Sequence, residues 1–287
     1  RRPPARDDLR REGAVGLVWA FVATLVSFHA HPDDEAIACG GTMARAAAAG
    51  HRVVLVTATS GECGEVADGV LAPGETLGER RQKELAEAAE ILGVARVEIL
   101  GYRDSGMVGT PENEDPGCFW QTPVDEAATR LSRILAEERP DALTVYDEHG
   151  NYGHPDHIQV HRVGVRAAEM ARVGRVYEAT LNRDEFRRLM ARAAELGLPD
   201  ASDLPDMEDV GDQMGLPEEL LTTAVDVSSH LDVKRRAMAA HASQIDENSF
   251  FLTMPPVAFA AAFGTEWYRR RGAPPGLRER EILPNGL

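Results

Sequence analysis

The feature that most constrains this chain is an alternation repeated along it. Short apolar runs rich in β-branched residues are each followed by a segment of helical periodicity. That order is the signature of βαβ units and predicts a largely parallel sheet with helices on its faces. The apolar run 15–28 gives the first strand, ending near Phe28. Residues 37–49 predict a helix stopped by Gly50. Arg52–Thr59 (RVVLVTAT) predicts the second strand. Over 79–92, Leu85, Ala88, Ala89 and Leu92 share one helical stripe, closed by Gly93. Residues 97–100 and Ala142–Tyr146 read as strands, Val124–Glu138 and 157–170 as helices.

After residue 170 the pattern loosens. Strands are expected over 176–181 and 222–227, and helices over 184–196 and 231–243. The acidic, proline-punctuated stretch 198–219 reads as a surface excursion, with 202–212 solvated. The aromatic-rich segment 250–268, around Met254-Pro255-Pro256, is expected to pack as a wall over the domain. The polar stretch after Arg271 is expected to be a mobile tail.

Composition narrows the function classes. Apolar residues make up 43% and charged residues 27%, enough for one sizeable core. The net charge is −16, from 47 acids against 31 bases, so the summed field repels polyanions. Nucleic acid and anionic membrane surfaces are therefore not expected partners. Cys39, Cys63 and Cys118 are odd in number and far apart, which is no disulfide framework and fits a reducing, cytoplasmic setting. Arg1, Arg2, Arg6, Arg10 and Arg11 precede the run 15–28, an arrangement that also resembles a targeting segment. The run is short for a bilayer span and flows straight into a polar cluster, so a buried strand is the preferred reading. Residues 1–14 read as a flexible, solvated arm.

Two polar clusters carry the chemistry. One is His29-Ala30-His31-Pro32-Asp33-Asp34-Glu35; the other is His154-Pro155-Asp156-His157, with His161 four residues on. Each follows a predicted strand and opens a helix. In an open α/β sheet the carboxyl ends of parallel strands share one edge, so clusters remote in sequence meet there. Imidazole and carboxylate together suit a zinc-like ion, whose catalytic sites keep three protein ligands and an open position. Two histidines and one aspartate would fill that shell, leaving a further carboxylate as a base.

His31-Pro32-Asp33-Asp34-Glu35 with Gly153-His154-Pro155-Asp156-His157 resembles the LmbE-like (PIG-L) zinc N-deacetylase superfamily. The likeness spans roughly 24–170, with a weaker echo in 225–245, and is strongest to its mycothiol-pathway branch of GlcNAc-inositol deacetylases and mycothiol S-conjugate amidases. It implies His31, Asp34 and His157 as metal ligands for zinc, with ferrous iron as the alternative ion. It implies Asp33 as general base, His154 as the group steadying the oxyanion, and Tyr152 as a mobile tyrosine acting in the transition state. Arg81 and Asp104 would hold the sugar and its polyol, and Met107 would lie near the acetyl group. The loop Asp147-Glu148-His149-Gly150-Asn151-Tyr152 departs from the family's more usual Asn-Gly-Gly-Tyr, which leaves substrate identity open.

Element order and resemblance together set the expected fold: α/β, a Rossmann-like three-layer sandwich with a mostly parallel sheet and a smaller C-terminal α+β portion. The metal-binding core would occupy 15–180, an extension completing the same domain and the substrate pocket 181–270, and the tail 271–287. The expected activity is metal-dependent removal of an N-acetyl group from an N-acetylglucosaminyl conjugate, the small-molecule partner. Homo-oligomerisation is left open. Cleavage of mycothiol S-conjugates is the neighbouring alternative, although Phe119 and Trp120 are bulky for the wider pocket it needs. Deacetylation of a secondary-metabolite glycoside is another. His29-x-His31-x-Asp33-Asp34 also resembles a metallo-β-lactamase signature, against which the repeating βα order argues. A metal- and sugar-binding protein without turnover is the remote alternative; it has no use for a spare base. His29, His161, Asp226 and His241 are expected to serve the fold and Cys63 to be inert, while Asp156 is open between orienting a ligand and capping a helix.

Overall fold

The computed structural model describes residues 22–66, 69–198 and 214–284. The strands are β1 (Thr24–His29), β2 (Arg52–Thr59), β3 (Arg96–Tyr102), β4 (Ala142–Tyr146), β5 (Val176–Thr180), β6 (Thr223–Asp226) and β7 (Thr265–Arg270). They form one 7-stranded sheet in the order β3-β2-β1-β4-β5-β7-β6. Neighbours from β3 to β5 pair in parallel, and β7 runs antiparallel to both β5 and β6. The strand order reverses at β1, which pairs with β2 on one side and β4 on the other. The carboxyl ends of β1 and β4 therefore flank the crevice where open α/β sheets place their sites.

The helices are α1 (Asp34–Ala38), α2 (Gly40–Ala48), α3 (Leu77–Leu92), α4 (Val124–Glu138), α5 (Gly150–Gly153), α6 (Pro155–Ala171), α7 (Arg183–Met190), α8 (Leu231–Ala240), α9 (Phe250–Thr253) and α10 (Pro256–Phe263). The central strands are buried on both faces, and their period-two side chains feed two cores. Leu25, Val53 and Leu55 join Met43, Leu85, Leu92 and Met238 under α2, α3 and α8. Val26, Phe28, Val54 and Val56 join Leu131, Leu135, Val160 and Val163 under α4 and α6. This is the three-layer arrangement expected from the sequence.

Several boundaries differ for identifiable reasons. The single helix expected over 37–49 is two, broken at Cys39. Gly41 brings the start of α2 so close to Val227 that a Cβ there would lie 2.5 Å from the valine's own. The Glu266 carboxylate then accepts from the Gly41 and Thr42 amides, both at 2.8 Å, and complements the helix dipole. Helix α3 starts at Leu77 because Thr76 and Glu79 form a capping box. Helix α6 starts at Pro155, whose fixed φ suits the first helical turn, with His154 as its cap. Helices α7 and α8 end earlier than expected, at Met190 and Ala240.

The segment read as a wall contains β7, which inserts between β5 and β6. Its alternate residues Glu266 and Tyr268 are buried, while Arg269 reaches the buried Glu178 of β5 at 2.5 Å. The stretch after Arg271 packs as well: Ile282 and Leu283 are buried, and Glu279 bridges to Thr223. The first half of the expected strand 15–28, the arm 1–14, and most of the acidic excursion lie outside the described residues. No described helix is long and apolar enough to cross a membrane.

Candidate active site

The turn after β1 and the helix after β4 supply the site. Asp34 opens α1; its carboxylate accepts from the His31 amide at 2.9 Å and lies 3.3 Å from His31 Nδ1. The other oxygen of Asp34 lies 3.2 Å from His157 Nε2, on the first turn of α6. Bonds of 2.0–2.1 Å in a tetrahedral zinc site give ligand–ligand edges of about 3.3 Å. The His31 and His157 ring centres are 5.5 Å apart. Neither ring nitrogen of His157 finds a hydrogen bond, although the residue is only 2% exposed. Buried imidazole nitrogens left in that condition fit an ion rather than a packed core. His154 joins the group: ligand atoms of His31, His154 and His157 all lie within 4.8 Å of one another.

Charge at the cluster is strongly organised. Burial favours neutral forms, but Asp34 faces His157 and His31 and is held well below the usual carboxylate range. The carboxylates of Asp104, Asp156 and Asp34 likewise outweigh burial at His31 and raise it well above an ordinary histidine. His154 goes the other way. Burial and the neighbouring histidines lower it to about 4. Its Nδ1 lies 3.1 Å from the Asp156 amide and accepts from it, so neutral His154 carries its proton on Nε2.

Behind His31 lies a second group of acids. Asp156 is fully buried and 3.2 Å from His31 Nε2, and Asp104 is 3.6 Å from the same nitrogen. Asp156 accepts from the Ser105 amide at 3.0 Å and from the Ser105 hydroxyl. Asp156 thus holds a ring nitrogen of His31, while the cap of α6 is His154, so of the two roles left open for it the capping one is not taken. Asp104 is buried, accepting from the Gly106 and Cys63 amides. Beside it, burial and nearby carboxylates push the Cys63 thiol up to about 12.

Asp33 stands apart from its neighbour. Its φ of 118° is uncommon for any residue but glycine and costs about 1–3 kcal/mol. Its carboxylate meets Arg81, whose Nη2 donates at 3.1 Å. Burial raises Asp33 to about 6, with Arg81 opposing. Arg81 is itself buried and also donates to the Gly61 and Pro32 carbonyls, so its hydrogen bonds run to the protein's own chain. Tyr152 and Met107 lie at the rim, 50% and 47% exposed. The Tyr152 ring is 4.9 Å from that of His157, and burial raises its hydroxyl above the ordinary tyrosine value.

The histidines expected to serve the fold divide. His29 is buried between Ser27 and Tyr146, and His161 Nδ1 bonds the Tyr146 carbonyl. Asp226 caps the turn to Ser228. His241 instead bonds Glu35 beside the site, at 2.5 Å. Ser105, Glu35 and this His241 contact escaped the sequence reading, because their partners are remote along the chain.

A family model described as PIG-L, GlcNAc-PI de-N-acetylase, matches residues 26–168, which contain both clusters. A 1D-myo-inositol 2-acetamido-2-deoxy-alpha-D-glucopyranoside deacetylase of Acidothermus cellulolyticus is 44% identical over 260 residues, covering 86% of this chain and 88% of its own. The chain belongs to the PIG-L family. A protein of the same name from Streptomyces griseus is 42% identical over 277 residues, covering 90% of this chain and 86% of its own. Among solved structures, the N,N'-diacetylchitobiose deacetylase of Pyrococcus horikoshii shares the fold with a TM-score of 0.55 at 22% identity, over 90% of this chain and 86% of its own. A 4-carboxy-2-hydroxymuconate hydratase from Pseudomonas putida aligns with a TM-score of 0.53 at 17% identity, over 92% and 100%. PIG-L membership thus rests on sequence, and the fold alone does not choose the reaction.

Proposed function

We propose that this PIG-L member is a metal-dependent N-deacetylase acting on an N-acetylglucosaminyl conjugate, with GlcNAc-inositol as the first candidate. The observation that carries the reading is a second carboxylate, Asp33, paired with Arg81 rather than with the histidines and lying next in sequence to Asp34, alongside a buried group of imidazoles able to hold an ion. His31, Asp34 and His157 would hold a divalent ion, zinc by donor chemistry. Such an ion polarises a carbonyl and lowers the pKa of water toward ~7.

Asp33, raised to about 6, is suited to take a proton from the attacking water near neutral pH. The water oxygen adds to the acetyl carbonyl as that proton moves to the carboxylate. Neutral His154 offers its Nε2–H to the oxygen on which charge develops. Asp33 then returns its proton to the departing nitrogen, with Tyr152 at the rim as the alternative donor. The C–N bond breaks to give acetate and a free amino sugar. Names of relatives at 40% identity and above favour GlcNAc-inositol over a mycothiol conjugate.

The test is acetate release from GlcNAc-inositol, a mycothiol conjugate and free GlcNAc, with elemental analysis of the purified protein. Asp33→Asn is expected to lower turnover by about 10²–10⁴-fold with metal content unchanged. Equal rates for Asp33→Asn and wild type would exclude the proposed base.

A further inference from the structure

The strained backbone of Asp33 is held by Glu35, two residues on, and Glu35 is held in turn by a side chain from a remote part of the sequence. The Asp33 side chain makes no capping bond to α1. Its amide instead donates to Glu35 Oε2 at 2.9 Å. Glu35 is fully buried, and its other oxygen meets His241 Nε2 at 2.5 Å. His241 is also fully buried and sits where α8 ends. Its remaining nitrogen, Nδ1, has no hydrogen-bond partner, so the ring is committed to Glu35 alone.

The turn that carries His241 is fixed in its own right. Ser243 donates through its amide at 2.9 Å and its hydroxyl at 2.6 Å to the buried Glu84 on α3. Arg81, one turn earlier on the same helix, grips the Asp33 carboxylate. Asp33 is therefore held at three points: its carboxylate by α3, its carbonyl by the Ala36 and Ile37 amides at 3.0 and 3.2 Å, and its amide by the Glu35–His241 pair. A carboxylate and an imidazole buried together are costly unless they hold each other, and removing one strands the other. What that pair touches is the main chain of the aspartate that faces the reaction.

We propose that His241, acting through Glu35, is a positioning residue for Asp33. This rests on the reading of Asp33 as the base. His241 keeps Glu35 aimed at the Asp33 amide, and Glu35 keeps Asp33 in the conformation from which its carboxylate meets Arg81.

The experiment compares the full chain, zinc-loaded, as wild type, His241→Leu, His241→Ala and His241→Gln. Glutamine places an amide donor near the position of Nε2, whereas leucine fills the space without one. Two loss variants keep the comparison readable if one does not fold. The loss variants are expected to lower kcat on GlcNAc-inositol by about 10²-fold, with KM within about twofold and zinc content unchanged. His241→Gln is expected to restore most of kcat. A second readout needs no turnover: hydrogen exchange of the Asp33 amide, by NMR, on the zinc-free proteins. It should be protected in wild type and His241→Gln and at least about tenfold faster in the loss variants. Wild-type kcat in a loss variant, His241→Gln as slow as His241→Leu, or unchanged Asp33 exchange would each overturn the proposal. If wild type releases no acetate, the deacetylase reading falls, and amide exchange still decides whether His241 holds Asp33.

Discussion

Replacing Asp156 with asparagine and with alanine should separate what this buried acid does for the fold from what it does for the ion. Its Oδ2 lies within reach of two fixed donors, the Ser105 amide at 3.0 Å and His31 Nε2 at 3.2 Å. Its Oδ1 meets the Ser105 hydroxyl, whose oxygen also accepts from the Trp120 amide at 2.8 Å. In Asp156→Asn the amide nitrogen cannot face the two fixed donors, so it must replace Oδ1 and donate to the serine oxygen. The carbonyl then keeps both fixed contacts, and what is lost is the charge and the acceptor of the Ser105 hydroxyl proton. Asp156→Ala strands two buried donors at about 1–3 kcal/mol each, so about 2–6 kcal/mol of stability should go. The asparagine variant keeps both fixed contacts and should lose less than the alanine variant by the same reasoning. Its effect should fall on the ion, because a carboxylate behind a ligating histidine typically contributes 10–100-fold in affinity, or about 1.4–2.8 kcal/mol. Urea denaturation of the metal-free proteins measures the first quantity, and zinc titration against a chelator the second. Asparagine and alanine variants of equal stability, or zinc affinity in Asp156→Asn within twofold of wild type, would refute the reasoning.

Gly150 has a φ of +66°, and a Cβ there would lie 2.7 Å from His157 Cβ and 2.8 Å from the Ile158 amide nitrogen. Gly150→Ala should weaken zinc binding at least tenfold, whereas Gly50→Ala, at a φ of +81° with nothing within 4 Å, should cost only the ~1–2 kcal/mol of left-handed strain and leave zinc titration unchanged. Glu138 is held down to about 2 by Arg52 and Arg96, against an ordinary value of 4.5. A depressed carboxylate contributes stability that is full above its unfolded pKa and lost as pH falls through the folded one, so the ~1 kcal/mol cost of Glu138→Gln at pH 7 should shrink below pH 4.5 and be gone near pH 2, read by urea denaturation.

How much of this was legible depends on the range of each signal. Arg52–Thr59, Val124–Glu138 and Ala142–Tyr146 have the predicted bounds, because a doubly buried strand and an amphipathic helix set between Pro123 and Pro140 announce their ends locally. The meeting of His31 with His157 was legible too, since two polar clusters each followed a strand and parallel strands share one carboxyl edge. Strand β7 was not, because Glu266 and Tyr268 are buried to hold α2, a helix more than 200 positions away. The Glu35–His241 contact spans 206 positions and leaves no local mark. The burial of Ile282 and Leu283 was masked by their charged neighbours.

The adjacent aspartates show what the strand ends add to a common scaffold. Asp33 and Asp34 have the same chemistry and lie one residue apart, yet their environments push them in opposite directions. Asp34 faces two histidines and stays ionised, which is what a ligand requires. Asp33 is raised to about 6 by burial, with only Arg81 opposing, which suits the proposed base near neutral pH. Asp33 meets Arg81 from a backbone φ of 118°, while Asp34 opens the helix and turns one oxygen to each histidine. The hydratase that shares this fold shows that the sheet supplies a place rather than a reaction. The reaction is written in how consecutive side chains are sorted at that place, and the sorting depends on groups as distant as Arg81 and His241.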